Sequence, residues 1–211
     1  MTWTLQQIVD RSVSEGIDEP DAIQLANQKY KELVRKSGWL RATVNLGATD
    51  GTTATFALPE DISRVLFVRV EQTDTTVVNY ETRIGENDYH RIRAGQIDPA
   101  GNCFTSDEDA DGNVVLALYP TPAAGTLYVK AEKIPPTLVN DTDELKIPDE
   151  FVQGLLDGIK GVVYGDLDED PGSSQAMEAK FQAAIGGLAA MVKARGVGDG
   201  PIALPIRGVH W

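Results

Sequence analysis

The sequence predicts an α+β fold: a four-helix unit built from helical hairpins at the two ends of the chain, with an antiparallel β-sandwich or barrel-like region inserted between them. Three observations carry this. Apolar residues recur at helical spacing in residues 4–38 and again in 148–195. Between them lie short β-branched runs divided by turn residues. Breakers mark both changes of pattern, Gly38-Trp39 on one side and Pro135-Pro136 on the other. The expected organisation is a helical hairpin over 1–38, a β domain over 39–136, a second hairpin over 137–195 and a C-terminal extension over 196–211.

Thr4-Leu5-Gln6-Gln7 has the form of a capping box, in which the Thr hydroxyl and the Gln amide satisfy the first free N–H groups of a helix. Leu5, Ile8, Val9 and Val13 then fall on one face as far as Gly16. A second start follows at Asp18-Glu19-Pro20-Asp21, where Pro suits the first turn and the acids face the positive helix end. Its apolar stripe is Ile23, Ala26, Tyr30, Leu33 and Val34, and Arg35 and Lys36 load its C-terminal end before Gly38.

Six or seven short strands are expected next, over residues 42–46, 52–58, 65–70, 75–80, 114–119 and 126–133, with turns at Asp50-Gly51, Asp111-Gly112-Asn113 and Ala124-Gly125. Residues 83–99 follow neither period and read as a long loop with a short strand or helix.

Helices return at Pro148, with Phe151, Leu155, Ile159 and Val162 in a stripe. Gly154, Gly158 and Gly161 recur through that helix. Each costs roughly 1 kcal/mol of helix propensity against Ala, which points to close helix–helix contact. After an acidic turn at 166–171, Ser173 or Ser174 is expected to cap a last helix whose face includes Met177, Phe181, Ile185, Leu188 and Val192. The extension from Gly196 holds too much Gly and Pro for a helix, yet carries Ile202, Leu204, Ile206, Val209 and Trp211. Such an apolar segment either docks on a partner or packs on its own domain.

Lys and Arg total 19 against 32 Asp and Glu, a net charge of −13. That balance argues against binding nucleic acid across a broad face, which takes clustered cations, but suits a surface past which DNA slides. Plain solubility explains it equally well. No apolar run approaches the roughly 20 residues of a membrane span, and the N-terminus lacks the marks of a signal peptide, so an intracellular product is expected. One cysteine, Cys103, permits no internal disulfide, and with only His90 and His210 no zinc cluster is expected.

The candidate chemistry is sparse. Residues 107–112, Asp-Glu-Asp-Ala-Asp-Gly, match half of a calcium loop, but the acid needed at its twelfth position would fall at Leu118, so an acidic turn is expected. Asp166, Asp168, Glu169 and Asp170 stand in a turn without a histidine or nucleophile. His90, beside Arg91 and Arg93, could meet a phosphate but has no evident partner acid. No nucleophile elbow or phosphate loop occurs, so neither an enzyme nor a cofactor is expected. Trp3, Trp39 and Trp211 are interface candidates, because Trp buries a large area while keeping a polar handle.

Four local patterns, in order, carry a resemblance. They are the second helix closing in Ser37-Gly38-Trp39; Phe56-Ala57-Leu58-Pro59-Glu60-Asp61-Ile62 running into a strand; Leu118-Tyr119-Pro120-Thr121-Pro122 before the strand ending at Ile134-Pro135-Pro136; and Asp143-Glu144-Leu145-Lys146-Ile147-Pro148-Asp149-Glu150-Phe151 leading into a helix. Over residues 4–195 the layout resembles the head-to-tail adaptor (connector) proteins of tailed bacteriophages, including the podovirus tail-tubular or gatekeeper type. The resemblance implies a virion protein of the neck, assembled in the host cytoplasm as a homo-oligomeric ring of twelve copies. Its partners would be the phage portal protein and the next tail or nozzle protein, with DNA only as passing cargo and no membrane. It also implies C-terminal segments that reach into the portal, which makes Pro201, Ile202, Leu204, Pro205, Ile206, Val209 and Trp211 the candidate portal or intersubunit docking residues. Two other readings compete: a different neck or tail component such as a tail terminator, and a ligand-binding β module. The latter would show an aromatic-lined pocket, against an aromatic content of 7%.

Overall fold

The structure, a computed structural model, describes residues 3–14, 16–99, 101–108, 113–166 and 170–194. The chain divides into two compact units, one of helices from both ends of the chain and one of strands from its middle. The α+β class is as the sequence predicts.

In the helical unit, α1 (Leu5–Val13) opens on the expected capping box. Thr4 Oγ1 accepts from Gln7 N at 3.4 Å, and Gln7 Oε1 accepts from Thr4 N at 3.0 Å. Its next free N–H groups are taken by a returning loop: Leu5 N donates to Asp143 O at 2.9 Å and Gln6 N to Asp141 O at 3.1 Å. After Val13 the helix closes at Gly16, as expected: Gly16, at φ 94°, donates from its N–H to Val13 O at 2.9 Å, and Ile17 N donates to Ser12 O at 3.4 Å. The second helix, α2 (Glu19–Ser37), ends at Gly38 with φ 63°, a left-handed cap whose N–H is held by Val34 and Arg35 carbonyls.

A 3-10 turn, Asp149–Phe151, leads into α4 (Val152–Asp166), which packs along α5 (Pro171–Ala194). The glycines of α4 explain the approach. A methyl at Gly154 would overlap Ala184 Cβ, and one at Gly158 would stand 2.7 Å from the Phe181 ring. The start of α5 differs from expectation. Asp170 Oδ1, not a serine, accepts from Gly172 N and Ser173 N, both at 3.1 Å, while Ser174 Oγ turns across to donate to Gly161 O at 2.7 Å. Ile8, Tyr30, Leu33, Leu155, Phe181 and Leu188 centre the core of this unit, each fully buried.

Among the described residues the strand unit holds two four-stranded sheets. One has the order β1 (Arg41–Thr49), β8 (Gly125–Lys133), β3 (Ile62–Gln72), β4 (Val77–Tyr80). The other has the order β2 (Thr55–Ala57), β7 (Val114–Tyr119), β6 (Cys103–Glu108), β5 (Thr82–Arg83). Both sheets are open, so the sandwich alternative holds and the closed barrel does not. Phe104, Leu116, Leu118, Val68, Val70, Leu127 and Val129 fill the space the strands enclose. Gly125 lies so close to the Glu71 and Gln72 backbone that no side chain fits there.

Two departures have clear causes. Strand β6 is absent from the strands the sequence predicts; pairing on both sides, antiparallel to β7 and parallel to β5, holds it in the sheet. The residues 52 and 53 expected in β2 are diverted, because Asp50 Oδ1 accepts both N–H groups at 2.8 and 2.7 Å. Within 83–99 the chain completes β5 at Arg83 and forms α3 (Glu86–Arg93), as the mixed signal allows.

Candidate functional site

The last turn of the β2–β7 ladder builds a hollow. Thr55, Phe56 and Ala57 pair with Ala117, Leu116 and Val115, and Leu58 N donates onward to Val114 O at 3.3 Å. Pro59 then breaks the strand, and Ile62 N returns to Pro59 O at 3.1 Å, which sends the chain into β3. The bend leaves a depression of about 480 Å³ lined by Leu58, Pro59, Glu60, Ile62, Asn113 and Val114. Leu58 and Ile62 rest on the core of the strand unit, whereas Val114 is 52% exposed. Glu60 is the acid of the lining and is exposed. The sequence carried this feature within the pattern Phe56–Ile62 without marking it as a site. Apolar residues beside a Pro-broken strand were the available signal.

On α5, one outward face consists of Ala176, Ala179, Ala183, Gly186 and Ala190, all exposed and none larger than a methyl. Such a face lets another helix come close.

The tryptophans separate by role. Trp39 Nε1 donates to Lys146 O at 2.6 Å, Trp3 O accepts from Leu145 N at 2.9 Å, and both rings pack on the helical core. These two fasten the 134–148 connection to the helices. Trp211 and the other candidate docking residues, Pro201, Ile202, Leu204, Pro205, Ile206 and Val209, lie outside the described residues.

His90 does have an acid nearby, contrary to the sequence reading: Glu86 Oε1 is 3.8 Å from its Nε2, one turn away on α3, with both side chains exposed. Arg91 faces Asp88 at 3.6 Å. Carboxylates therefore accompany the cations here, which is unlike a phosphate site. Cys103 is buried, and burial pushes its thiol above the ordinary value, away from the thiolate needed for nucleophilic chemistry. Tyr80 donates from its hydroxyl to Pro120 O at 2.9 Å, and burial with Cys103 nearby pushes it up to about 12.

Of the acidic turn, Asp170 is described and serves as the helix cap; positions 167–169 lie outside the described residues. So do 109–112 of the half-calcium loop. Among the described residues no three His, Cys, Asp or Glu side chains converge as metal ligands, and no helix is long and apolar enough to cross a membrane.

A family model described as SU10 adaptor protein matches residues 3–204, which takes in both helical hairpins and the whole strand region. No curated protein matches the chain.

Proposed function

Because the chain belongs to the SU10 adaptor protein family, structural adaptors of phage particles, we propose that it forms a non-enzymatic head-to-tail ring between the portal and the tail, of the podovirus gatekeeper kind. The observation that carries the reading is the extent of the family match, residues 3–204 of a 211-residue chain.

The mechanism is assembly. A closed ring of twelve copies needs heterologous contacts, with two different faces on every subunit. Helices supply one kind of face, and the small-residue side of α5 fits packing between copies. Residues 201–211 are the docking segment, reaching the portal or a neighbouring subunit, and the strand unit receives the next tail or nozzle protein. DNA passes through the ring as cargo. A chain of net charge −13 suits a lumen that repels the phosphate backbone instead of retaining it. The ring assembles in the host cytoplasm and stays in the virion neck, without cofactor or membrane.

Native mass spectrometry of the chain, alone and mixed with the candidate portal ring, tests this. A discrete ring, or a monomer that assembles in fixed ratio on the portal, is the expected result. A monomer indifferent to the portal would sink the assignment.

A further inference from the structure

The hollow at the end of β2 and the segment 201–211 are complementary in three respects. In the segment, Ile202, Leu204 and Ile206 recur at every second position, so an extended chain places all three on one side. Pro201 and Pro205 favour that extended form over a helix. The hollow offers Leu58, Ile62 and the half-exposed Val114 as an apolar floor. Its 480 Å³ falls within the roughly 300–1,000 Å³ of sites that take a small ligand, which is room for a few side chains and too little for a helix. Charge agrees as well. Residues 201–211 contain Arg207 and His210 and no acid, in a chain that is otherwise strongly acidic, and the hollow carries Glu60 beside Asp61.

We infer that Ile202, Leu204 and Ile206 of one copy seat on Leu58, Ile62 and Val114 of a neighbouring copy, with Arg207 set against Glu60. This rests on the ring reading above and names the contact that closes the ring. A heterologous ring requires each subunit to donate one element and accept another. The segment is the donor and the hollow is the acceptor. Residues 195–211 follow the last described residue and span about 55 Å when fully extended, enough to reach an adjacent subunit.

Full-length chains carrying either Val114→Cys or Leu204→Cys test the contact, mixed with the candidate portal ring and oxidised. The native Cys103 is 1% exposed and stays out of the exchange. The expected product is a disulfide between the two different chains, and a ladder of linked copies when both substitutions share one chain. A Val77→Cys chain, 50% exposed at another place on the strand unit, serves as the control acceptor and should link far less. Glu60→Lys should lower the yield of the 114–204 link, and Glu60→Gln should lower it less. Linking no better than the control, linking only within one chain, or capture of Leu204→Cys by the portal would each overturn the contact. Native mass spectrometry of the same samples separates the two levels. Rings without the link defeat the contact alone, whereas absence of any ring defeats the ring reading and the contact with it.

Discussion

Asn27 on α2 grips Leu138 by both of its backbone groups: Asn27 Nδ2 donates to Leu138 O at 2.9 Å, and Leu138 N donates to Asn27 Oδ1 at 2.8 Å. The pair joins positions 111 apart in sequence and holds the connection between the last strand and α4 against the first hairpin. An Asn27→Leu chain strands both Leu138 groups, and each unsatisfied group costs about 1–3 kcal/mol. A clear drop in the urea midpoint is expected, with the far-UV spectrum at zero urea unchanged. Asn27→Asp keeps the acceptor but sets a carboxylate against the Leu138 and Ile23 carbonyls. It should destabilise at neutral pH and recover in part on acidification. A midpoint equal to that of the parent chain in both variants would show that the clamp contributes nothing.

That clamp also marks where sequence reading stops. The capping box at Thr4 and the Gly38 cap were legible because each depends on residues within one turn of chain. The close approach of α4 and α5 was legible as well, since three glycines inside a helix need a reason. Asn27 gave no such signal, because its partner is a backbone group and a backbone group has no residue identity. Strand β6 was missed for a related reason: Thr105, Ser106 and Asp107 are strand only because β7 supplies their register. Ser173 and Ser174 compete in the sequence with Asp170, which is equally good at capping and stands just before Pro171. The hollow lay in a stretch noticed for its order of residues and not for its shape. The apolar pattern of Ile202, Leu204 and Ile206 is legible in the sequence, whereas the surface proposed to receive it depends on a fold and on a second molecule.

The glycines of α4 should differ in what they tolerate. At position 154 a methyl meets Ala184 Cβ, and neither group can rotate away. Overpacking of this kind costs about 1–3 kcal/mol, more than the roughly 1 kcal/mol of helix propensity that Ala brings. Gly154→Ala is therefore expected to melt several degrees below the parent chain. At position 161 the nearest atoms are 3.4 Å away, an ordinary contact, so Gly161→Ala should be neutral or slightly stabilising. Equal losses at both positions in thermal scans would mean that α4 and α5 do not pack in this register.

Gly186 offers the opposite case. It lies inside α5, is exposed, and has no atom within 4 Å of where a methyl would stand. Gly186→Ala should stabilise the isolated chain by about 0.5–1 kcal/mol, through helix propensity and a less free unfolded chain. Urea denaturation reads this directly, and a loss of stability would show that the outward face of α5 is already covered within the single chain.

Acidification should destabilise the chain, and the groups responsible can be named. Asp50 is held below the usual carboxylate range by the N–H groups of Thr53 and Thr52, and Asp74 by the N–H of Thr76. Asp143 is held down by the N–H groups of Val139 and Asn140, and Asp170 by Ser173 and the N–H of Gly172. In each case the folded chain favours the charged form, so the unfolded chain takes up its protons first as the pH falls. The stabilisation from these groups is present in full above the unfolded carboxylate value, about 3.9. It declines below that value and is gone once the pH has passed through the folded values. Urea midpoints measured from pH 7 downward should hold nearly level to about pH 4 and then fall. Replacing Asp143 and Asp170 together by Asn should lower the midpoint at pH 7 and make the acid limb shallower. An acid limb as steep as that of the parent chain would assign the pH dependence to other carboxylates.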